Sequence, residues 1–375
     1  MAEVEIGLGK SGRPAYGLDD IAIIPSRRTR DPTDVDLSWE IDAFRFDLPI
    51  MASAMDGVTS PGTAIELGRA GGVGVLNLEG IWVRYDDPAP LLAELAEIAD
   101  DDVATRRIQE IYAQPVDRDL IGRRVREIRD GGVVSCGAVT PHSVEELTEV
   151  ILEAELDLLV IQGTVVSAEH VTRSTDEPGN DEPLNLKTFV RRLDLPVIVG
   201  GCSSYQAALH LMRTGAAGVL VGVGSGRTSS TRRVLGTGVA QATAIADARA
   251  ARMRHLDETG VYVHVIADGG MVTGGDIAKA VVCGADAVML GAPLAIADEA
   301  PGRGYHWGPA AAHPTLPRGT RSHVGTRGPL AQILAGPAPD DRGDLNLMGA
   351  LRRAMALCGH ATLKELQKAE LVVMP

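Results

Sequence analysis

The residues of this 375-residue chain whose types and spacing could do chemistry are those that close short apolar runs: Ser53 and Met55, Asn77, Gln162, Gly200 and Gly201, Gly222 to Gly226, Asp268 to Gly270, and Gly291. Glycine dominates the set. A glycine lets a ligand approach the backbone, and backbone N–H groups gathered in a tight loop or at a helix N-terminus bind phosphate. A single such loop means little, but three together point to a phosphate-bearing ligand. Metal chemistry is not indicated. The four cysteines, Cys136, Cys202, Cys283 and Cys358, lie far apart and none forms a CxxC, so neither a zinc site nor a disulfide framework is expected. Their pattern fits a reducing, cytoplasmic setting.

The elements that must position these residues recur along the chain. Eight β-branched apolar runs, PIMASAM, VGVLNL, VSCGAV, LDLLVIQG, PVIVGG, GVLVGVG, VHVIADG and AVMLGA, are each followed by a helical pattern. Continuous apolar runs read as strands buried on both faces, and strands alternating with helices imply parallel βαβ units. Eight such units close into a (β/α)₈ TIM barrel, whose chemistry sits at the C-terminal ends of the strands. Ser143 and Glu146 form a capping-box pattern ahead of Val144, Leu147, Val150 and Ile151. Another helix is expected to start near Thr273, with Asp276 in its first turn, and to stop at Gly284.

Two stretches depart from this alternation. Ile81 to Gly132, between the second and third strands, reads as charged helices and loop, too short for a second domain with much core. Ala300 to Asp344 is rich in Pro, Gly and Arg and is expected to form a lid or flap on the catalytic rim. The whole chain, 1–375, is therefore expected to be one domain. Its 45% hydrophobic but only 3% aromatic content, with 43 glycines, suits a Val/Leu/Ile/Ala core around tight turns. A formal charge of −14 excludes a general affinity for nucleic acid or an anionic membrane, which needs a basic face. The N-terminal MAEVEIGLGK has no basic region followed by an apolar stretch, so neither export nor insertion is expected.

Four segments carry a more specific likeness. LPIMASAMDGVT, VLVGVGSGRTSSTRRVLGTGVAQATAIADA, VIADGGMVTGGDIAKAVVCGADAVMLGAPLA and NLMGALRRAMALCGHATLKELQ resemble, in order and spacing, the defining segments of the IMP dehydrogenase/GMP reductase family, and most closely its short members without the CBS pair. The resemblance implies a purine nucleoside monophosphate (IMP, GMP or XMP) as ligand, NAD and a monovalent cation as cofactors, and a homo-oligomer. It implies nucleotide contacts from Ser53, Met55, Gly226, Arg227, Gly269, Gly270 and Gly291, with Asp268 taking the ribose hydroxyls. Cofactor contacts would come from Gln162, Gly222 and Gly224, and cation-binding carbonyls from Gly224, Gly226 and Ser229. An acidic acceptor beside glycine backbone is what a ribose 5′-phosphate needs.

The redox half departs from the family. Ser229 stands where the family has its attacking cysteine, and an alcohol needs an adjacent base that a thiol does not. Thr231 matches the proton-transfer threonine, but Arg318 stands where its acidic partner is expected. Gln162 replaces an aspartate that holds the cofactor ribose, and Arg227 and Ala292 replace two phosphate-binding serines. Arg227 could bind phosphate through its own guanidinium fork. Cys202 and Cys136 are expected to be structural, since nothing near them in sequence lowers a thiol pKa. Two readings follow: an oxidoreductase with altered or weak nicotinamide-dependent chemistry, or a catalytically inactive nucleotide-binding or sensing protein.

Overall fold

All eight apolar runs form strands, because β-branched side chains buried on both faces leave the backbone no partner but a neighbouring strand. They are β1 (Ile50–Ala52), β2 (Val73–Asn77), β3 (Cys136–Val139), β4 (Leu158–Gln162), β5 (Val197–Cys202), β6 (Gly218–Val221), β7 (His264–Asp268) and β8 (Ala287–Leu290). Every neighbouring pair is parallel, and β8 pairs with β1 to close the barrel. The computed structural model describes residues 3–170, 184–226, 229–312 and 321–374.

The crossover helices are α1 (Pro61–Arg69), α2 (Arg118–Asp130), α3 (Val144–Glu153), α4 (Leu186–Val190), α5 (Tyr205–Met212), α6 (Gln241–Thr259), α7 (Gly274–Cys283) and α8 (Leu347–Leu357). Helix α7 starts and stops as its sequence predicts. The Thr273 hydroxyl accepts from the Asp276 N–H, the Asp276 carboxylate accepts from the Thr273 N–H, and Gly284 ends the helix at φ +127°. Helix α3 starts where expected but by a different device. The Ser143 hydroxyl makes no cap: its backbone is already helical (φ −98°, ψ −8°), and the hydroxyl donates to Glu79, whose carboxylate also takes the Thr140 N–H.

The barrel end where strands begin is closed by the antiparallel pair Trp39–Ile41 and Phe44–Phe46. Trp39 stacks on Phe46 at 5.3 Å, meets the edge of His264 at the start of β7, and donates its indole N–H to the Leu48 carbonyl at 3.0 Å. At the other end the two irregular stretches form one unit. Ile81, Leu92, Leu95, Ile108 and Ile111 pack with Trp307, Ala311 and Ala312 in a small core separate from the barrel's. The 300–344 stretch is more regular than its composition suggests. Tyr305–His306 pairs with Ser322–His323, and Leu330–Ala335 is helical. Arg321, 2% exposed, pins this stretch to the insertion: it bonds Asp101 and the carbonyls of Leu95 and Ile98, and its guanidinium lies 4.1 Å over the Tyr305 ring.

Candidate functional site at the barrel mouth

The register of β7, β8 and β1 sets three strand ends side by side: Asp268 pairs with Met289, and Leu290 with Ala52. One residue beyond lie Gly291 and Ser53, whose N–H donates to the Leu290 carbonyl at 2.9 Å. A Cβ on Gly291 would stand 3.3 Å from the Met55 sulfur and 3.5 Å from the Ser53 hydroxyl. Gly291 thus shares one cradle with Ser53 and Met55, more than two hundred residues earlier in the chain. Its floor is held by the Thr59 hydroxyl, which donates to the Ser53 carbonyl at 2.8 Å, and by the Met55 N–H on the same oxygen at 2.7 Å.

The second wall is built from the loops after β6 and β7, packed backbone on backbone. A Cβ on Gly222 would lie 2.0 Å from the Asp268 carbonyl oxygen, a distance no side chain can take. Gly269 and Gly270 both have left-handed backbone, φ +82° and +83°, and a Cβ on Gly269 would meet the Gly226 nitrogen at 3.0 Å. Two polar side chains that sequence reasoning missed tie these loops. Ser225 donates to the Asp268 carbonyl at 2.8 Å, while buried Gln241, at the start of α6, donates to the carbonyls of Val221 and Asp268 at 2.8 and 3.2 Å. The only sequence cue for Gln241 is an amide in the first turn of an otherwise Ala-rich helix.

Asp268 itself points across the barrel. Gln162, at the end of β4, donates its Nε2 to Asp268 Oδ2 at 3.1 Å and rests 3.7 Å from the Met289 sulfur. Burial pushes the Asp268 carboxyl up to about 6, and the Gln162 bond opposes that shift.

Ser229 is exposed, its hydroxyl bonded at 3.2 Å to Thr231 and its N–H to the Gly226 carbonyl at 3.0 Å. A threonine cannot serve as its base, so the hydroxyl is not activated by any described residue. Gly224 turns the loop at φ +67°. Arg227 and Arg318 lie outside the described residues. Ala292 opens the short helix Ala292–Ala295 directly after Gly291. Cys202 is 1% exposed, its thiol raised to about 12 by burial and turned to the Leu220 carbonyl at 3.4 Å, so it is not a substitute nucleophile.

Next to the cradle is a buried carboxylate that the sequence did not single out. Asp56, following Met55, is 1% exposed and is raised by desolvation to about 6. Its Oδ2 accepts from the Tyr112 hydroxyl, the Ile81 N–H and, at 3.5 Å, Asn77, and Trp307 donates to the Tyr112 hydroxyl at 3.1 Å. Asp56 therefore joins the cradle, the insertion and the flap stem. A cavity of about 480 Å³ lies at the opposite end, where β5 to β7 begin, lined by groups of both signs including Asp42, Arg191, Asp194 and His264. We place the site at the glycine-rich mouth instead, because converging polar groups and backbone donors are there and barrel chemistry sits at that face.

Comparison with known proteins bears on this geometry. The model of the IMP dehydrogenase / GMP reductase domain matches residues 15–311. An uncharacterized oxidoreductase of Mycobacterium tuberculosis is 52% identical over 378 residues, 99% of each chain. The inosine-5′-monophosphate dehydrogenase of Methanocaldococcus jannaschii is 27% identical over 489 aligned residues, covering 96% of this chain and 93% of the other. The crystal structure of an IMP dehydrogenase/GMP reductase-like protein from Corynebacterium glutamicum superposes with a TM-score of 0.91 at 47% identity, over 99% of this chain and 97% of that one.

Proposed function

The chain belongs to the IMP dehydrogenase / GMP reductase family of oxidoreductases, and on that premise we propose that it binds a purine nucleoside 5′-monophosphate at the barrel mouth without the family's efficient cysteine chemistry. The observation that carries the reading is the pairing of one carboxylate, Asp268, with the glycine backbone of Gly226, Gly269, Gly270 and Gly291. The carboxylate suits the ribose hydroxyls and the N–H groups suit the phosphate. Ser53 and Met55, brought beside Gly291, suit contact with the rest of the nucleotide. Gly222 and Gly224 serve the loop by letting it lie against Asp268 and Thr237. IMP, GMP and XMP share this chemistry.

The redox half finds less support. Ser229 has only Thr231 as a side-chain partner among the described residues, and the loss of a nucleophile that acts as part of a unit lowers turnover by about 10⁶. The one side chain that the resemblance implies for a nicotinamide dinucleotide, Gln162, is turned to Asp268. Of the three carbonyls implied for a monovalent cation, that of Gly226 also accepts from the Ser229 N–H. The oxidoreductase alternative rests on family membership and requires hydride transfer without a thiol.

Four free, buried cysteines support a reducing, cytoplasmic setting, and no described helix is long and apolar enough to cross a membrane. Self-association, which the family implies, is proposed on the exposed apolar side chains Ile6 and Leu8 of the N-terminal hairpin. Sedimentation at rising concentration tests it.

Thermal shift is the test of the ligand class. A monophosphate at 100 times its Kd should stabilise the protein by about 2.7 kcal/mol, and the matching nucleoside far less. Equal stabilisation by inosine and IMP, or none by any monophosphate, overturns the reading.

A further inference from the structure

The hydrogen bond between Gln162 and Asp268 crosses the barrel. Strands β4 and β7 are not neighbours; β5 and β6 stand between them. The two positions in between, Gly200 within β5 and Gly222 just past β6, are glycines. Gly200 and Gly222 carry no side chain into the gap, and neither could, since a Cβ would lie 2.4 Å from the Leu220 carbonyl oxygen in one case and 2.0 Å from that of Asp268 in the other. Across this gap the Gln162 amide reaches Asp268 Oδ2 at 3.1 Å. Oδ1 is bonded by no described residue and is not sealed from solvent.

We propose that Gln162 is a positioning residue of the nucleotide site, holding Asp268 so that its free oxygen faces a ribose hydroxyl, and that the end of β4 thereby serves the mononucleotide rather than a dinucleotide. The inference rests on the nucleotide reading above and deepens it. An amide is the group that this place requires. Asp268 has no charged partner among the described residues, and Gln162 is the one side chain that favours its ionised form. A carboxylate at 162 would set two like charges within hydrogen-bond reach, and such a pair holds on to a proton. An aspartate there would also be a methylene too short to reach. The ligand class is accordingly a ribonucleoside monophosphate, discriminated from its 2′-deoxy counterpart.

The test compares wild type with Gln162→Leu and Gln162→Glu by calorimetric titration with IMP, 2′-deoxy-IMP and NAD from pH 5 to 8. Affinities are taken as variant-to-wild-type ratios at each pH, so that the ligand phosphate's own titration cancels. Gln162→Leu should weaken IMP about 10-fold, the loss of one hydrogen bond to a charged group, and weaken 2′-deoxy-IMP, which keeps only one of the two hydroxyls, measurably less. The pH below which IMP affinity falls should move upward, because Asp268 then ionises less readily. Gln162→Glu should bind IMP like wild type at pH 5, where a shared proton restores a donor, and lose affinity toward pH 8.

Equal losses for both nucleotides at every pH would reduce Gln162 to packing. Wild-type NAD binding that Gln162→Leu abolishes would return it to a dinucleotide, and either result overturns the proposal. The Asp268 titration is followed separately by carboxyl ¹³C resonance without ligand, and an upward move in Gln162→Leu is expected. A titration unmoved by the substitution overturns the role of Gln162. A wild type that binds no monophosphate overturns instead the function on which that role rests.

Discussion

Arg252 and Asp286 form a 2.8 Å ion pair, each side chain 2% exposed, at the end of the barrel opposite Asp268. Asp286 also takes Lys364 at 2.6 Å, the Tyr262 hydroxyl at 2.8 Å and the Val265 N–H at 2.9 Å, so its carboxylate holds the C-terminal segment to the start of β8. Despite burial, these cations hold its carboxyl down to about 2.

Removing one partner leaves a buried charge uncompensated, so Asp286→Ala should lower unfolding free energy by about 3–5 kcal/mol in urea titration. The sign of the pH effect follows from the depressed value. The stabilisation is complete above the unfolded carboxylate's pKa of about 4 and is lost as pH falls from there toward about 2. A variant whose acid unfolding matches wild type would show that Asp286 contributes nothing to acid stability.

Asp56 should act in the opposite sense. Its folded value, about 6, lies above the unfolded one, so the native state binds the extra proton and stability falls as pH rises from about 4 to about 6. Asp56→Asn keeps an acceptor for Tyr112 and Ile81 and removes the charge. Urea unfolding of this variant should lose that slope and gain on the order of 2–3 kcal/mol over wild type at pH 8. Tyr112→Phe, by deleting a donor to the buried carboxylate, should be destabilising by about 1–3 kcal/mol at that pH. An Asp56→Asn protein with an unaltered slope would place the titration elsewhere.

Thiol chemistry should be silent in the native protein. All four cysteines are free and buried, and burial raises each thiol, Cys202 and Cys283 to about 12. Iodoacetamide at pH 7.5 should modify none of them in native protein and all four after denaturation. Rapid labelling of native Cys202 would reopen it as a nucleophile.

Incubation with IMP and NAD should give little or no NADH and no mass adduct on the chain, since among the described residues exposed Ser229 has only Thr231 as a side-chain partner. Ser229→Cys alone should allow at most slow formation of a trapped adduct, because Gln162 still faces Asp268. Turnover of the native protein at about 1 s⁻¹ or faster would show hydride transfer by a route independent of a cysteine, and the binding reading would give way to an enzyme.

The barrel was legible in the chain because its signals are local. Each strand is a continuous apolar run, and α7 carries its start at Thr273 and its stop at Gly284 within a dozen residues or so. Asp268, Gly269, Gly270 and Gly291 could be picked out the same way, by residue type at a strand's end. What tertiary structure alone decided are partnerships between distant residues. Ser143 reads as a helix cap, but in the fold its backbone is already helical and its hydroxyl donates to Glu79, which arrives from just past β2. Gln162 shows in the sequence only as a polar side chain closing a strand; closure of the barrel sets it 3.1 Å from Asp268, across Gly200 of β5 and Gly222 just past β6. Asp56 looks like an ordinary loop aspartate in sequence; only the fold buries it under Tyr112 and Trp307. Strand and helix signals depend on neighbours a few residues away, whereas burial and charge depend on which groups the closed barrel brings together.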